Sequence, residues 1–144
     1  MEAHRPYDAF LLHGGQYWAF EFKQMKTLDN MPMSKIEDHQ LFNLKRVEKN
    51  GGKAYFLVNY RAPVTSKAFY EFIIHEKKIN MTFVVAPCVI DLMMGRNMKS
   101  IPFMDLWEHT ERIEWEKVEY MKNDGTRAEK FLWRVDKLIG GQSK

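Results

Sequence analysis

The stretch "PYDAFLLHGGQYWAFEFK", residues 6–23, organises the interpretation of the whole chain. Its segment "AFLL" is apolar, "HGG" supplies residues suited to the positive φ angles of a tight turn, and "QYWAFEFK" is rich in aromatic residues. This pattern predicts a β-hairpin. The end of the first strand, which carries Asp8, then returns beside the end of the second strand, which carries Glu21 and Lys23.

Side chains alternate between the two faces of a strand. The aromatic residues of the second strand share one face and are predicted to enter the core: Trp18, Phe20 and Phe22. Glu21 and Lys23 lie on the opposite face, roughly 7 Å apart at Cα. Together with Asp8 they would bring two carboxylates and an amine to one place. The alternative is an ordinary solvated strand face, because an acid–x–lysine triplet also occurs by chance.

The composition limits the class of protein. The chain has 144 residues, of which 45% are hydrophobic and 28% charged, enough for one domain with its own core. It has neither a run of 18 apolar residues nor an N-terminal leader, so we expect a soluble, cytoplasmic protein. The formal net charge of +3 favours an anionic partner only mildly. The single cysteine, Cys88, excludes an internal disulfide and is expected to be a small core residue.

The segment after the hairpin predicts one amphipathic helix over residues 34–49. Ser34-Lys35-Ile36-Glu37 fits a capping box, apolar residues recur at a helical period, and "NGG" at 50–52 suits the helix end. The exposed face of this helix is basic and carries Lys35, Lys45, Arg46 and Lys49. Such a face is either simply solvated or turned towards phosphates.

The next segments predict further strands. "KAYFLVNYRAP" (53–63) and "SKAFYEFIIHEKK" (66–78) have the apolar and aromatic content of strands. Pro87 prevents regular strand pairing in "FVVAPCVIDLMM" (83–94), and "GRNMKSIP" (95–102) is a polar, basic loop.

The C-terminal third is more ambiguous. "RIEWEKVEYM" (112–121) fits either a strand or a helix, and Asp124-Gly125 indicates a turn. A second capping box at 126–129, followed by an apolar stripe, predicts a helix from Ala128 to Ile139. The order of elements predicts an α/β domain around a mixed sheet.

The order of these features resembles the RecU-type Holliday junction resolvases, which belong to the restriction-endonuclease-like superfamily with the signature PD-(D/E)xK. Pro6-Tyr7-Asp8 corresponds to the proline and acid, and Glu21-Phe22-Lys23 to the triplet. The helix with His39-Gln40 near its start and the strand after "NGG" extend the likeness to about Tyr60. The resemblance implies a restriction-endonuclease-like mixed β-sheet flanked by helices, in a single nuclease domain over 1–144. It also implies a homodimeric endonuclease that cuts four-way DNA junctions during recombination or repair.

The resemblance also implies roles for individual residues. Asp8 and Glu21 would hold Mg²⁺ or Mn²⁺, and carboxylates are ligands that Mg²⁺ prefers. Lys23 would hold the attacking water or neutralise charge on the phosphate. Gln40 would contact the phosphate or the water, unless it only bonds the nearby helix backbone, which is favoured for His39.

One feature of the family leaves a question open at this point. Its members carry a further acidic ligand before the first catalytic acid, whereas seven residues precede Asp8 here. Either the chain is a minimal or truncated member, or the missing ligand comes from elsewhere, or metal binding is weaker.

DNA contact is expected along a basic track formed by Lys26, Lys35, Lys45 and Arg46. Two alternatives to a junction-cutting enzyme remain: a homing or restriction-type endonuclease acting on duplex DNA, and a non-catalytic nucleic-acid-binding relative. Neither composition nor the short motif separates these possibilities.

Overall fold

The computed structural model describes residues 6–64 and 77–141. Its elements in chain order are β1 (Ala9–His13), β2 (Gln16–Met25), β3 (Met31–Pro32), a 3₁₀ turn (Met33–Lys35), α1 (Asp38–Lys49), β4 (Lys53–Pro63), β5 (Lys78–Val85), α2 (Pro87–Gly95), β6 (Ser100–Ile101), α3 (Phe103–His109), β7 (Glu111–Ile113), β8 (Trp115–Met121), β9 (Arg127–Trp133) and α4 (Val135–Gly141).

The main sheet of the described residues has five strands in the order β1-β2-β4-β5-β7. Strands β2 and β4 are parallel, and α1 connects them, while every other neighbouring pair in this sheet is antiparallel. Strands β3 and β6 form a separate small sheet, and β8 and β9 form another. The predicted α/β class with a mixed sheet flanked by helices is confirmed, and this architecture is compatible with a restriction-endonuclease-like fold.

The opening hairpin forms as predicted. Gly14 and Gly15 have φ angles of 58° and 78°, the left-handed conformation that a two-residue turn between antiparallel strands requires. The register pairs His13 with Gln16 and Ala9 with Phe20. This register brings the residue that precedes β1 level with the middle of β2.

Both faces of the central strands are buried. On one face Leu41 and Leu44 of α1 join a core that continues to α2 and α3, and on the other face Trp18 and Phe20 pack with α4. Two-sided burial explains why β4 is an almost continuous apolar run instead of an alternating one.

One aromatic residue departs from the predicted pattern. Phe22 was expected in the core together with Trp18 and Phe20, but 41% of it is exposed. Its ring meets Trp133 edge-to-face at 5.5 Å between centroids. Phe22 thus lies at the edge of the core that Trp18 and Phe20 form with α4.

The predicted start of the first helix at residue 34 is wrong. Residues Met33–Lys35 form only a 3₁₀ turn, and α1 begins at Asp38 with Glu37 as its N-cap. Gln40 takes the third helical position, and its Oε1 accepts a hydrogen bond from the backbone N–H of Glu37 at 3.1 Å. The reciprocal bond of a capping box thus forms around Glu37 and Gln40, not around Ser34. The predicted end of the helix is correct: α1 ends at Lys49, and Gly51 adopts the left-handed conformation with a φ of 87°.

The predicted helix from Ala128 to Ile139 is also wrong over most of its length. The turn at Gly125, with a φ of 85°, pairs Met121 with Arg127 and begins the β8–β9 hairpin. Strand pairing then satisfies the backbone groups through Trp133, and the helix is confined to Val135–Gly141. The ambiguous segment 112–121 is extended.

The segment between the two described parts affects one further prediction. Most of the predicted strand at 66–78 lies outside the described residues. The antiparallel partner of β4 is β5, at Lys78–Val85, which was not predicted as a separate strand.

Cys88 is exposed, so its prediction as a core residue is wrong. Pro87 does not interrupt a strand but occupies the first turn of α2, where its missing N–H costs nothing. The helical period then turns Ile90 inwards and leaves Cys88 on the outer face. Among the described helices, none combines the length and apolarity that a bilayer-spanning helix needs.

We predict that Gly52→Ala destabilises the fold. A Cβ added at Gly52 would lie 2.6 Å from Cγ1 of Val47 and 3.2 Å from the backbone oxygen of Tyr17, a branched side chain and a strand that have little freedom to move. Overpacking of this kind costs about 1–3 kcal/mol, which thermal unfolding should detect as a lower melting temperature. Gly95→Ala is the matched control, because a Cβ there meets nothing within 4 Å. Equal melting temperatures for the two variants would contradict the tight approach of α1 to β2.

Candidate active site between strand β2 and helix α1

Asp8 is tied directly to the second strand. Its Oδ2 accepts a hydrogen bond from the backbone N–H of Phe22 at 2.8 Å. The bond follows from the hairpin register, which extends one step past the Ala9–Phe20 pair. Asp8 is thereby held next to Glu21 and is one of the causes that raise the pKa of Glu21.

Glu21 is a buried carboxylate, with only 5% of the residue exposed. Its Oε1 accepts a hydrogen bond from Nε2 of Gln40 at 2.8 Å. Burial is the main cause that raises the pKa of Glu21 to about 7, and the neighbouring Asp8 raises it further, while the positive charge of Lys23 opposes the shift. The fold therefore holds an acid where its negative charge is poorly compensated by protein groups.

Gln40 links the strand to the helix through both ends of its amide. Nε2 donates to Glu21, and Oε1 accepts from Nζ of Lys23 at 2.7 Å. The same Oε1 accepts from the N–H of Glu37, so the helix cap also fixes the amide's orientation. His39 lies outside this cluster, because its exposed ring pairs with Glu37 at 3.3 Å.

The structure thus brings four sequence-predicted residues together: Asp8, Glu21, Lys23 and Gln40. Oδ2 of Asp8 accepts from the backbone of β2, Oε1 of Glu21 accepts from Gln40, and the two carboxyl groups also interact with each other. Within residues 6–64 and 77–141, no group of three or more histidine, cysteine or acidic side chains is arranged to hold a metal. Two carboxylates still fit Mg²⁺, which keeps several waters and is held in many phosphate-handling sites by one or two carboxylates plus the substrate.

The predicted basic residues are all exposed: Lys26, Lys35, Lys45 and Arg46. They differ in their protein contacts. Nζ of Lys35 donates to the backbone oxygen of Gln24 at 3.1 Å, and Lys45 pairs with Asp91 on α2 at 2.8 Å. Lys35 thus lies against the end of β2, whereas Lys45 lies on the side of α1 that faces α2.

A cavity that was not predicted from the sequence lies between the hairpin and α1. It is lined in part by Tyr7, which precedes Asp8, and by Tyr17. The signal that could have found it is the strand alternation, which places Tyr17 on the same face of β2 as Glu21.

Comparison with known proteins adds to this geometry. The family described as recombination protein U matches residues 10–123. The chain belongs to this family. The match includes Glu21, Lys23 and Gln40, and Asp8 lies two residues before it. Strand β9 and helix α4 follow the matched range.

Curated relatives of this recombination protein U family member share its sequence over part of their length. Holliday junction resolvase RecU from two strains of Streptococcus suis is 30% identical over 100 residues, which cover 64% of this chain and 48% of the relative. Holliday junction resolvase RecU from Bacillus pumilus is 28% identical over 64 residues, or 41% of this chain and 31% of the relative. The chain spans at most about half the length of the curated relatives that it matches.

We predict that Glu21→Gln stabilises the metal-free protein at pH 8. The pKa of Glu21 is higher in the folded state than in the unfolded chain, so its ionisation costs folding free energy; this cost begins above the unfolded pKa and is complete above pH about 7. Glutamine removes the charge and keeps an oxygen that can accept from Gln40. In EDTA the melting temperature should rise by several degrees at pH 8 and less at pH 5.

The control for this measurement is Glu111→Gln, a change of the same charge at an exposed position. Surface substitutions of this kind usually stay within about 0.5 kcal/mol. A melting temperature of Glu21→Gln that equals the native value at pH 8 would show that the buried carboxylate carries no such cost.

Proposed function

We propose that this recombination protein U family member is a divalent-metal-dependent DNA endonuclease that cuts four-way junctions in recombination or repair. The observation that carries the proposal is the hydrogen-bonded cluster of Asp8, Glu21, Lys23 and Gln40 beside a basic surface. The names of the relatives, all Holliday junction resolvases, support the choice of a branched substrate over a linear duplex.

In this proposal the carboxylates of Asp8 and Glu21 would hold Mg²⁺ or Mn²⁺. When bound, such an ion supplies polarisation of the phosphate and a lowered pKa of bound water. The donor set supports this assignment, because Glu21 is desolvated beside a second carboxylate, and the positive charge of Lys23 does not offset the resulting rise of its pKa.

Lys23 and Gln40 have complementary tasks in the proposal. Lys23 presents an ammonium group where negative charge develops on the attacked phosphate, and Gln40 holds that group in place through Oε1. The amide of Gln40 also keeps Glu21 oriented. A fixed cation needs less reorganisation during the reaction than a free surface lysine, which is the source of its catalytic advantage.

We extend the proposal to the whole chain. Residues 1–144 form a single nuclease domain that acts in the cytoplasm as a homodimer. A four-way junction offers two strands to be cut, and a two-fold dimer supplies two active sites related by the same symmetry. Lys26, Lys35, Lys45 and Arg46 form the basic surface that contacts the DNA of the junction arms.

The test compares cleavage of a synthetic four-way junction with cleavage of a linear duplex of the same sequence, in Mg²⁺, in Mn²⁺ and in EDTA. We expect metal-dependent symmetric cuts in the junction and little cutting of the duplex. Equal cleavage of both substrates would support a duplex endonuclease instead. Binding without cleavage in any metal would identify a non-catalytic relative.

We predict that Asp8→Asn and Glu21→Gln abolish cleavage and leave DNA binding largely intact, since each removes a ligand charge but no phosphate contact.

Lys23→Ala should lower the cleavage rate by roughly two to three orders of magnitude, the effect of losing one preorganised electrostatic contact. Single-turnover cleavage and binding in Ca²⁺ measure the two properties separately. Lys122→Ala, at the distant β8–β9 turn, is the control for Lys23. Full activity in Asp8→Asn or Glu21→Gln would refute the site.

We predict that the double variant Lys26→Ala/Lys35→Ala flattens the salt dependence of DNA binding. Each phosphate neutralised on duplex DNA contributes about 0.9 to the slope of log affinity against log salt, so two lost contacts reduce it by about two units. Junction and duplex binding should weaken alike, because backbone contacts carry no sequence information. The matched control neutralises Lys122 and Lys130. An unchanged slope in the Lys26/Lys35 variant would move the DNA surface elsewhere, first to the loop with Arg96 and Lys99.

A further inference from the structure

A cavity of about 350 Å³ opens beside the candidate active site, between the hairpin and α1. Its lining consists of Pro6, Tyr7, Tyr17, Asn43, Arg46, Val47, Asn50 and Gly52. This volume falls at the lower end of the range of about 300–1,000 Å³ that is typical of small-molecule sites. A cavity of this volume can hold a ligand with one flat ring system.

One wall of the cavity is aromatic. The hydroxyl groups of Tyr7 and Tyr17 are hydrogen-bonded to each other, and their rings meet edge-to-face at 6.2 Å. Phe10 stacks on Tyr17 from the strand side at 5.8 Å. Burial and the bond to Tyr7 raise the pKa of Tyr17 to about 12, so this hydroxyl stays neutral at physiological pH. The wall therefore offers ring surface and the neutral hydroxyl of Tyr17.

The opposite wall carries polar groups that the protein itself does not use. Among the residues that the structure describes, neither the amide of Asn43 nor the guanidinium of Arg46 has a hydrogen-bond partner or an ion-pair partner. Asn50 differs, because its Nδ2 donates to the backbone oxygen of Arg46 at 2.8 Å. Asn43 is half-buried, so an unused amide there costs free energy unless water or a ligand bonds it.

The cavity begins next to the catalytic cluster. Tyr7 directly precedes Asp8, and Asn43 follows Gln40 by three residues, or about 4.5 Å along the helix axis. Tyr17 precedes Glu21 by four residues on the same face of β2, or about 13 Å along the strand. Phosphates of one strand advance about 3.4 Å each along duplex DNA. A strand that passes the cluster thus has the cavity within about four nucleotides of its cut phosphate.

We propose that this cavity binds an unstacked nucleobase of the cleaved strand and so contributes to the choice of cleavage site. The inference rests on the proposed nuclease function, because it requires the strand to pass Asp8 and Glu21. A base suits the lining better than a phosphate does, since aromatic rings, hydroxyl groups and a carboxamide surround one cation. Asparagine and arginine are also side chains that make bidentate hydrogen bonds to the edges of bases.

The test scans the cleaved strand with single abasic sites, in Ca²⁺ so that binding is measured without cutting. For the native protein one position within about four nucleotides of the cut phosphate should weaken junction binding about tenfold, since one stacked and bonded base contributes about 1–3 kcal/mol. Asn43→Ala and Arg46→Ala should bind the intact junction and the junction with this abasic site with nearly equal affinity. Non-additivity of this kind shows that the side chain and the base interact.

The controls separate this inference from phosphate binding and from the proposed function. Lys45→Ala removes a neighbouring cation outside the cavity, so it should weaken all junctions and keep the abasic effect. Asn123→Ala, in the distant β8–β9 turn, should behave like the native protein. A flat abasic scan, or an abasic effect of full size in Asn43→Ala, would overturn the inference even if the native protein cuts junctions in Mg²⁺. If the native protein did not cut junctions in Mg²⁺ or Mn²⁺, the proposed function would be overturned instead.

Discussion

The arrangement of the candidate site depends on one amide. Gln40 bonds Glu21 through its nitrogen and Lys23 through its oxygen, and the same oxygen caps α1 at Glu37. Two of these bonds connect the first turn of a helix to two alternate positions of a strand, and the third closes the helix cap. A glutamate at this position could not donate to Glu21, and an asparagine would be one methylene shorter. The helix cap and the orientation of the acid–x–lysine triplet are therefore parts of a single structure.

This amide can be placed because α1 is held closely against the sheet. Leu44 has no exposed surface, and the chain returns to β4 through Gly52, where even a methyl group would collide with Val47. The parallel pairing of β2 with β4 then aligns Glu21 with Phe56, in a region where both sheet faces are covered. Burial on this scale raises the free energy of the ionised Glu21. A cation bound beside Glu21 would stabilise the ionised form and offset this cost.

The sequence predicted the parts of this arrangement that local chemistry determines. The glycine turn and strand alternation were sufficient to bring Asp8, Glu21 and Lys23 together, and Gln40 was placed near them by the helix that follows. The start of that helix was predicted four residues too early, because Ser34 and Glu37 match a capping box as well as Glu37 and Gln40 do. Only the tertiary bond from Gln40 to β2 distinguishes the two.

The C-terminal error has a different cause. The segment from Ala128 to Ile139 has a helical stripe, but its first half pairs with β8 after the turn at Gly125. Residues of high strand propensity, such as Phe131 and Trp133, were counted as a helix face because the partner strand was itself ambiguous. Hairpin pairing is a long-range choice that periodicity within one segment does not determine.

One face of α1 connects the candidate site with the neighbouring cavity. Gln40, Asn43, Val47 and Asn50 recur at intervals of three and four residues, so they form one stripe along the helix. The first of them orients the acid–x–lysine triplet, and the other three line the cavity beside it. A rigid helix fixes the distance between the two places, unlike a loop, whose residues move independently. A base seated against Asn43 would therefore set which phosphate lies beside Asp8 and Glu21, and a rotation of α1 would disturb both places together.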